Sequence, residues 1–167
     1  MTENKKKWTK EEVFELYNKP LLELVFEAAQ THRIYHDPKE VQVSTLLSIK
    51  TGGCPEDCGY CPQASRYHTD IEKNDLMSLQ TVKAQALRAR SFGSSRVCMG
   101  AAWRNVREGE DFDQVLEMVR TVRDLDMEVC CTLGMLSENQ AKRLSEAGLY
   151  AYNHNIDTSE EHYKKVI

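Results

Sequence analysis

The chain has 167 residues, of which 41% are hydrophobic, and a formal net charge of -4. This length suits one ordinary domain, and the hydrophobic share is sufficient for a core. The acidic balance gives no electrostatic basis for binding nucleic acid, and no apolar run approaches the length that crosses a membrane. Residues 1–8 are basic, but no apolar segment follows them, which excludes a signal peptide. We therefore expect a cytoplasmic protein without a nucleic-acid or membrane partner.

Helix and strand signals alternate along the chain. Thr9 and Glu12 form a capping box for a first short helix, and Pro20 suits the first turn of a second. Four strands are then predicted, each with a helix behind it, at residues 41–49, 95–102, 128–134 and 150–157. The starts of the four following helices are marked by Ser78, by the apolar series from Phe112, by Ser137 and by Thr158 with Glu161.

This alternation predicts an α/β fold with parallel strands joined by right-handed crossovers. Eight such units would close a TIM-type barrel, and the four here would make its N-terminal half. An open sheet of four strands is the alternative. We expect residues 1–40 to form an N-terminal helical cap and residues 41–167 to form the half-barrel. The last helix stops at Ile167, which suggests a fragment of a longer protein.

Three cysteines follow the first predicted strand: Cys54, Cys58 and Cys61, with the spacing C-x3-C-x2-C. A [4Fe–4S] cluster normally takes four thiolates, so three of them leave one iron open. An open coordination position is characteristic of a catalytic metal site. The loop lies just past the carboxyl end of a strand, where α/β proteins place their chemistry. The pattern therefore predicts a catalytic iron–sulfur cluster.

The cysteine motif, with Tyr60 in its aromatic position, resembles that of the radical S-adenosylmethionine (AdoMet) superfamily. The resemblance implies that the open iron chelates AdoMet, and that Tyr60 lies near the adenine and shields the cluster. The alternative is a non-enzymatic zinc module in which His68 supplies a fourth ligand. Zinc sites usually come as two separated C-x2-C pairs, which favours the cluster.

Polar side chains alternate along the fourth predicted strand. Asn153, Asn155 and Asp157 would share one face, while His154 would point outward and be structural. Buried polar groups without partners cost about 1–3 kcal/mol each, so this face predicts a ligand rich in donors and acceptors. Ribose hydroxyls or a cyclic urea would satisfy it.

Three further cysteines lie on the second and third predicted strands. Cys98, Cys130 and Cys131 are each more commonly packing residues than ligands, because a buried free cysteine behaves as a small hydrophobe. The alternative is a second metal site, since two of these thiols lie at matching levels on adjacent strands. The spacing leaves open which of Cys130 and Cys131 faces inward. Arg96 precedes Cys98 on the same face.

A more specific resemblance extends over nearly the whole chain. The biotin synthase family is similar to this sequence in residues 43–52, 54–58, 60–63, 98–103 and 152–158. It implies a radical AdoMet enzyme that inserts sulfur into dethiobiotin through a 5′-deoxyadenosyl radical. It also implies a second, [2Fe–2S] cluster held by Cys98 and Cys130 but not by Cys131. The family completes that site with a cysteine and an arginine on later strands, so the site is incomplete within this chain.

The same resemblance assigns roles to other residues. Asn155 and Asp157 would bind the AdoMet ribose, and Asn153 and Asn155 would bind the ureido ring of dethiobiotin. A reductase or flavodoxin-type electron donor and a homodimer of the full-length protein are implied as well. Another radical AdoMet enzyme, such as a lipoyl synthase, is the rival within the superfamily. That enzyme should carry an additional N-terminal cysteine cluster, and no cysteine precedes Cys54 here.

Overall fold

The computed structural model describes residues 7–167, which form two compact units that divide between Val41 and Gln42. Most of the basic run at the N-terminus lies outside the described residues. Within the described part of the chain, no helix combines the length and apolar character needed to cross a bilayer.

The first unit contains two helices, α1 (Lys10–Tyr17) and α2 (Leu21–Tyr35). The capping box predicted for α1 is confirmed: the Glu12 N–H donates to Thr9 Oγ1 at 3.2 Å, and the Thr9 N–H donates to Glu12 Oε2 at 2.9 Å. Pro20 occupies the position before α2, where its fixed φ suits a helix start. The proposed role of this unit as a cap on a barrel stays a prediction.

The second unit contains four strand–helix pairs in strict alternation. They are β1 (Ser44–Lys50), α3 (Leu79–Ser91), β2 (Arg96–Ala101), α4 (Glu110–Arg123), β3 (Glu128–Thr132), α5 (Glu138–Ala147), β4 (Ala151–Tyr152) and α6 (Glu160–Val166). All neighbouring strands are parallel, and their order in the sheet is β1-β2-β3-β4. Sequential, adjacent, parallel strands are the arrangement of a TIM-type barrel wall, so the predicted half-barrel is confirmed.

The two faces of the sheet differ sharply in burial. Val97, Met99 and Val129 point into the layer that packs against the helices, where they are almost fully buried. Phe112 of α4 and Leu144 of α5 fill the same core and are fully buried. The alternate positions on β2 and β3 lie on the opposite face and are half-buried. In a barrel this second face would be the interior, which places its side chains beside the functional edge of the sheet.

The end of the fourth strand differs from the prediction. β4 ends at Tyr152, and residues 153–157 leave the sheet as irregular backbone. Its neighbour β3 ends at Thr132, and the Asn153 N–H donates to the Cys131 carbonyl at 2.9 Å as the chain leaves the sheet. Strand alternation therefore does not govern residues 153–157. The predicted Thr158 cap is also wrong, because Ser159 precedes α6 and forms no side-chain capping bond.

Candidate active site

A cavity of about 290 Å³ lies at the carboxyl ends of the four strands. Each of the four βα loops contributes to its wall, as do Tyr163 and Ile167 at the end of the chain. The residues from the four loops include Cys54, Cys58, Cys61, Ala102, Trp103, Arg104, Thr132, Gly134, Met135, His154, Asn155 and Asp157. This is the edge where parallel α/β folds bind ligands, and it is where the sequence placed the site.

Backbone hydrogen bonds hold the cysteine loop in a fixed shape. The Cys54 N–H donates to the Gln63 carbonyl at 2.9 Å, and the Ser65 N–H donates to the Cys54 carbonyl at 2.8 Å. The Gln63 side chain accepts from the Gly52 N–H at 3.0 Å. Gly52 has a φ of 71°, a left-handed conformation that glycine adopts without steric cost. The turn brings all three thiols to the cavity.

Negative groups surround the three thiols. The pKa of the Cys58 thiol is raised, first by burial and then by the Glu56 carboxylate and Cys61, with smaller contributions from Asp157 and Cys54. A thiolate in this setting gains from a cationic partner, which iron supplies. Three thiols on one short loop, facing one cavity, match the donor set of a [4Fe–4S] cluster with an open iron.

The structure does not assemble the alternative zinc site. His68 lines a different cavity, beside Gly53 and Gln63, while the three thiols line the larger one. Among residues 7–167, no three histidine, cysteine or acidic side chains are placed to hold a common metal ion. Structural zinc needs four ligands that converge on a single point. A cubane cluster instead takes each thiolate on a different iron, so its ligands need not converge.

Two of the predicted AdoMet-binding residues contact each other. The Tyr60 hydroxyl hydrogen-bonds to the Asp157 carboxylate, and this bond is the main cause of the raised pKa of Tyr60. Asn155 lines the cavity beside Asp157. The Asn153 side chain donates to Asn155 Oδ1 at 3.2 Å, but Asn153 is not part of the cavity wall.

His154 does not occupy the position expected for it. The sequence placed it on the outer face as a structural residue, whereas it lines the cavity together with Asn155 and Asp157. The expectation was wrong because it assumed strand alternation, and the backbone at this point is no longer a strand. A histidine in the cavity adds ring nitrogens that can donate or accept a hydrogen bond.

Sequence reasoning also missed an ion pair across the mouth of the site. Arg104 Nε lies 3.2 Å from Glu56 Oε2, and both residues line the cavity. Glu56 belongs to the cysteine loop and Arg104 to the loop after β2. The pair therefore joins two neighbouring walls. The position of Arg104 just past a predicted strand was the signal that could have identified it.

Tyr152, at the end of β4, holds the loop after β3 in place through two hydrogen bonds. Its half-buried hydroxyl accepts a hydrogen bond from the Leu133 N–H at 3.0 Å and donates one to the Gly134 carbonyl. Gly134 packs so closely on the Arg104 carbonyl that a Cβ there would collide with it. The Met135 N–H also donates to the Arg104 carbonyl, at 2.8 Å. The hydroxyl thus ties β4 to the loop after β3, and the backbone of that loop contacts the loop after β2.

We expect Tyr152→Phe to lower the free energy of unfolding by about 1–3 kcal/mol, because two backbone groups lose their partner. Urea denaturation of the protein that carries this chain measures the change. Tyr35→Phe is the matched control, since Tyr35 is 75% exposed and should shift stability by less than about 0.5 kcal/mol. Equal stabilities for Tyr152→Phe and wild type would contradict the stabilising role of the Tyr152 hydroxyl.

The second group of cysteines is resolved by strand register. Cys98 and Cys130 lie directly opposite each other on β2 and β3, and both are half-buried on the inner face. The pKa of Cys130 is raised, mainly by burial and next by Cys98, with which it hydrogen-bonds. Cys131 points the other way, into the core between sheet and helices, where burial strongly raises the pKa of its thiol.

A half-buried ion pair lies one layer below these thiols on the same face. Arg96 Nη2 is 2.7 Å from Glu128 Oε2, and its guanidinium stacks over the ring of Tyr150 at 5.1 Å. Gln42 Nε2 also donates to Glu128 Oε2, at 2.7 Å. Arg96 is therefore held beside Cys98 and Cys130, as its position on the strand predicted.

The chain is similar to several curated proteins over almost its entire length. It is 79% identical to a biotin synthase of Flavobacterium psychrophilum over 96% of the chain and 44% of that protein. It is 62% identical to a biotin synthase of Cytophaga hutchinsonii over 100% of the chain and 50% of that protein. It is 55% identical to one of Schizosaccharomyces pombe over 96% of the chain and 44% of that protein. The chain thus spans about half the length of the curated relatives it matches.

The family model of the radical SAM superfamily matches residues 48–167. That range begins in β1 and includes the cysteine loop, all four strand ends and the cavity. Three thiols on the loop after β1, at the functional edge of a parallel sheet, agree with the match. This chain belongs to the radical SAM superfamily.

Proposed function

We propose that this chain forms the cluster- and AdoMet-binding part of a biotin synthase, which inserts sulfur into dethiobiotin. The observation that carries the proposal is the 79% identity to a protein of that name over 96% of the chain. The paired thiols of Cys98 and Cys130 support it, since the reaction needs a source of sulfur beside the AdoMet cavity. The relatives described above are all named biotin synthase, and none of them carries the name of a rival enzyme such as lipoyl synthase.

The cofactors of a radical SAM protein are a [4Fe–4S] cluster and AdoMet, as the cysteine motif predicted. When bound, they supply an electron and a carbon radical that abstracts hydrogen from an unactivated carbon. In our proposal Cys54, Cys58 and Cys61 hold the cluster. The hydrogen-bonded backbone of their loop would keep the three thiolates in place at the cavity wall, so that they could bind three of the four irons.

Asp157, Asn155 and Tyr60 are proposed to bind AdoMet. A carboxylate can accept from both ribose hydroxyls, and Asp157 already accepts from Tyr60 on the cavity wall. Tyr60 would shield the cluster from solvent, because it belongs to the cysteine loop and lines the same cavity as the three thiols. Exclusion of water matters here, since a carbon radical is quenched by side reactions.

Asn153 and Asn155 are proposed to recognise the ureido ring of dethiobiotin. An amide side chain offers a donor and an acceptor, which matches the N–H and C=O of a cyclic urea. The hydrogen bond between these two residues orients both amides. A flavodoxin-type reductant as electron donor and a homodimer of the whole protein complete the proposal, and the cytoplasmic location stays a prediction.

Cys98 and Cys130 are proposed as two ligands of a [2Fe–2S] cluster that supplies the sulfur. Their thiols lie on the inner face, below the cavity, as the resemblance implied. Neighbouring strands in register place two thiolates on the same side of the sheet, which suits a cluster that takes a pair of ligands on each iron. Cys131 is not proposed as a ligand, because it is buried in the opposite layer.

The proposed activity can be tested with the protein that carries this chain. Reconstituted anaerobically with iron and sulfide, it should convert dethiobiotin to biotin in the presence of AdoMet and a flavodoxin-type reductant. Mass spectrometry of the product measures the conversion. A protein-bound octanoyl group, the substrate class of a lipoyl synthase, should be left unchanged. Sulfur insertion into the octanoyl group without biotin formation would favour the rival enzyme.

The second cluster yields a separate prediction on the two vicinal cysteines. In the protein that carries this chain, Cys131→Ala should retain the [2Fe–2S] signal in a Mössbauer spectrum, because Cys131 lies in the core. Cys130→Ala should lose that signal while keeping the [4Fe–4S] component. Loss of the [2Fe–2S] centre in Cys131→Ala would show that the wrong member of the pair was chosen. The 167-residue chain by itself should load about one four-iron cluster.

A further inference from the structure

Cys98 and Cys130 are placed to react with each other as well as with a metal. They are register partners on adjacent parallel strands, so their side chains emerge side by side on one face. Neighbouring strands lie about 4.8 Å apart, within the Cα separation of about 4.4–6.8 Å that a disulfide spans. The Cys98 and Cys130 thiols are near enough to interact, since Cys98 contributes to the raised pKa of Cys130.

The surroundings favour this pair over other pairings. Cys131 is fully buried on the opposite face of β3, so it cannot reach either thiol without unfolding the strand. Cys54, Cys58 and Cys61 belong to a loop at the end of the sheet and line the cavity above. Cys98 and Cys130 are both half-buried, which allows a small oxidant to reach them. Geometry thus selects Cys130, and not Cys131 or a thiol of the loop, as the partner of Cys98.

We propose that Cys98 and Cys130 form a reversible disulfide whenever no metal holds them. With oxidised glutathione as oxidant, one of the two thiolates attacks the glutathione disulfide and expels one glutathione thiol. The second thiolate then attacks the resulting mixed disulfide, closes the Cys98–Cys130 bond and releases the second glutathione. The protein pair loses two electrons and two protons, and the two glutathione molecules gain them.

This bond has a consequence for cluster assembly that rests on the proposed function. Both thiolates would be consumed, so the oxidised protein could not take the [2Fe–2S] cluster until a thiol reductant reopened the bond. The three thiols of the loop are separate, and the [4Fe–4S] site would still load. The pair would then act as a redox-sensitive control on the second cluster alone.

The test uses the metal-free protein that carries this chain, fully reduced and then equilibrated with a glutathione redox pair. Free thiols are alkylated, and the protein is digested and mapped by mass spectrometry. We expect a crosslinked peptide pair that joins Cys98 to Cys130, an alkylated Cys131, and complete reversal by dithiothreitol. The crosslink yield should fall about tenfold or more in concentrated urea, because the unfolded chain no longer holds the thiols together.

Three variants make the result decisive. Cys131→Ala should keep the crosslink, whereas Cys130→Ala should lose it and leave Cys98 unpaired. The triple variant Cys54→Ala, Cys58→Ala, Cys61→Ala should still form it, and circular dichroism verifies that each variant is folded. A crosslink from Cys98 to Cys131, or none in the folded chain under strongly oxidising glutathione, would overturn the proposal. The readout is a covalent mass, so absence of biotin formation would not affect it.

Discussion

Replacing Cys58 with alanine is expected to abolish the [4Fe–4S] cluster. The loop offers three thiolates for a four-iron cluster, and a second open iron exposes the cluster to loss. Anaerobic reconstitution of the protein that carries this chain should then give iron, sulfide and visible absorbance at or near background. AdoMet cleavage should be lost with the cluster. Iron and acid-labile sulfide assays, with an absorbance spectrum, measure the effect.

The controls for this prediction come from the structure. Cys131→Ala removes a thiol of the same type from the core and should leave the [4Fe–4S] component intact. Glu56, His154 and Asp157 line the same cavity and are groups that could replace a lost ligand. The double variant Cys58→Ala, His154→Ala therefore shows whether any remaining iron depends on that imidazole. Undiminished iron, sulfide and absorbance in Cys58→Ala would contradict the assigned role of the loop.

Replacing Asp157 with alanine is expected to weaken AdoMet binding by roughly 10- to 150-fold. Hydrogen bonds to a charged acceptor contribute about 1.5–3 kcal/mol each, and the carboxylate can accept from both ribose hydroxyls. Part of that gain is offset, because Asp157 must share or give up its bond to the Tyr60 hydroxyl. Asp157→Asn should have a smaller effect, since the amide keeps one acceptor oxygen.

Equilibrium binding of AdoMet to the cluster-loaded protein tests this prediction. Tyr60→Phe separates the two contributions: it removes the hydroxyl that holds Asp157 but leaves the carboxylate free for the ribose. We expect its affinity to lie much closer to wild type than that of Asp157→Ala. Equal affinities for wild type and Asp157→Ala would exclude the ribose role, provided that the iron content of the two proteins is the same.

Much of the fold follows from short-range signals. The capping boxes at Thr9 and Ser137 and the left-handed Gly148 at the end of α5 involve residues only a few positions apart. Such interactions depend on local spacing and hardly on the rest of the molecule. The alternation of strands and helices was equally clear, because apolar periodicity reports which face of each element is buried. The parallel sheet and the position of the cysteine loop followed from these signals.

The details of the site depended on longer-range geometry. β4 is shorter than its sequence suggested, and His154 in the irregular segment after it lines the cavity. The bond between Arg104 and Glu56 joins two loops whose approach no local pattern encodes. The sequence predicted that polar residues after a strand lie near the site. It did not predict which of these residues contact each other.

The cysteines show the same division most clearly. The spacing of Cys54, Cys58 and Cys61 by itself predicted a cluster with an open iron, because the ligand count is a property of the sequence. Alternation alone told us that Cys130 and Cys131 face opposite ways, but not which one faces the barrel interior. Only the register that sets Cys98 beside Cys130 and the helices that bury Cys131 decided it. Strand register and the choice of covered face arise from packing between segments about thirty residues apart, which local periodicity does not contain.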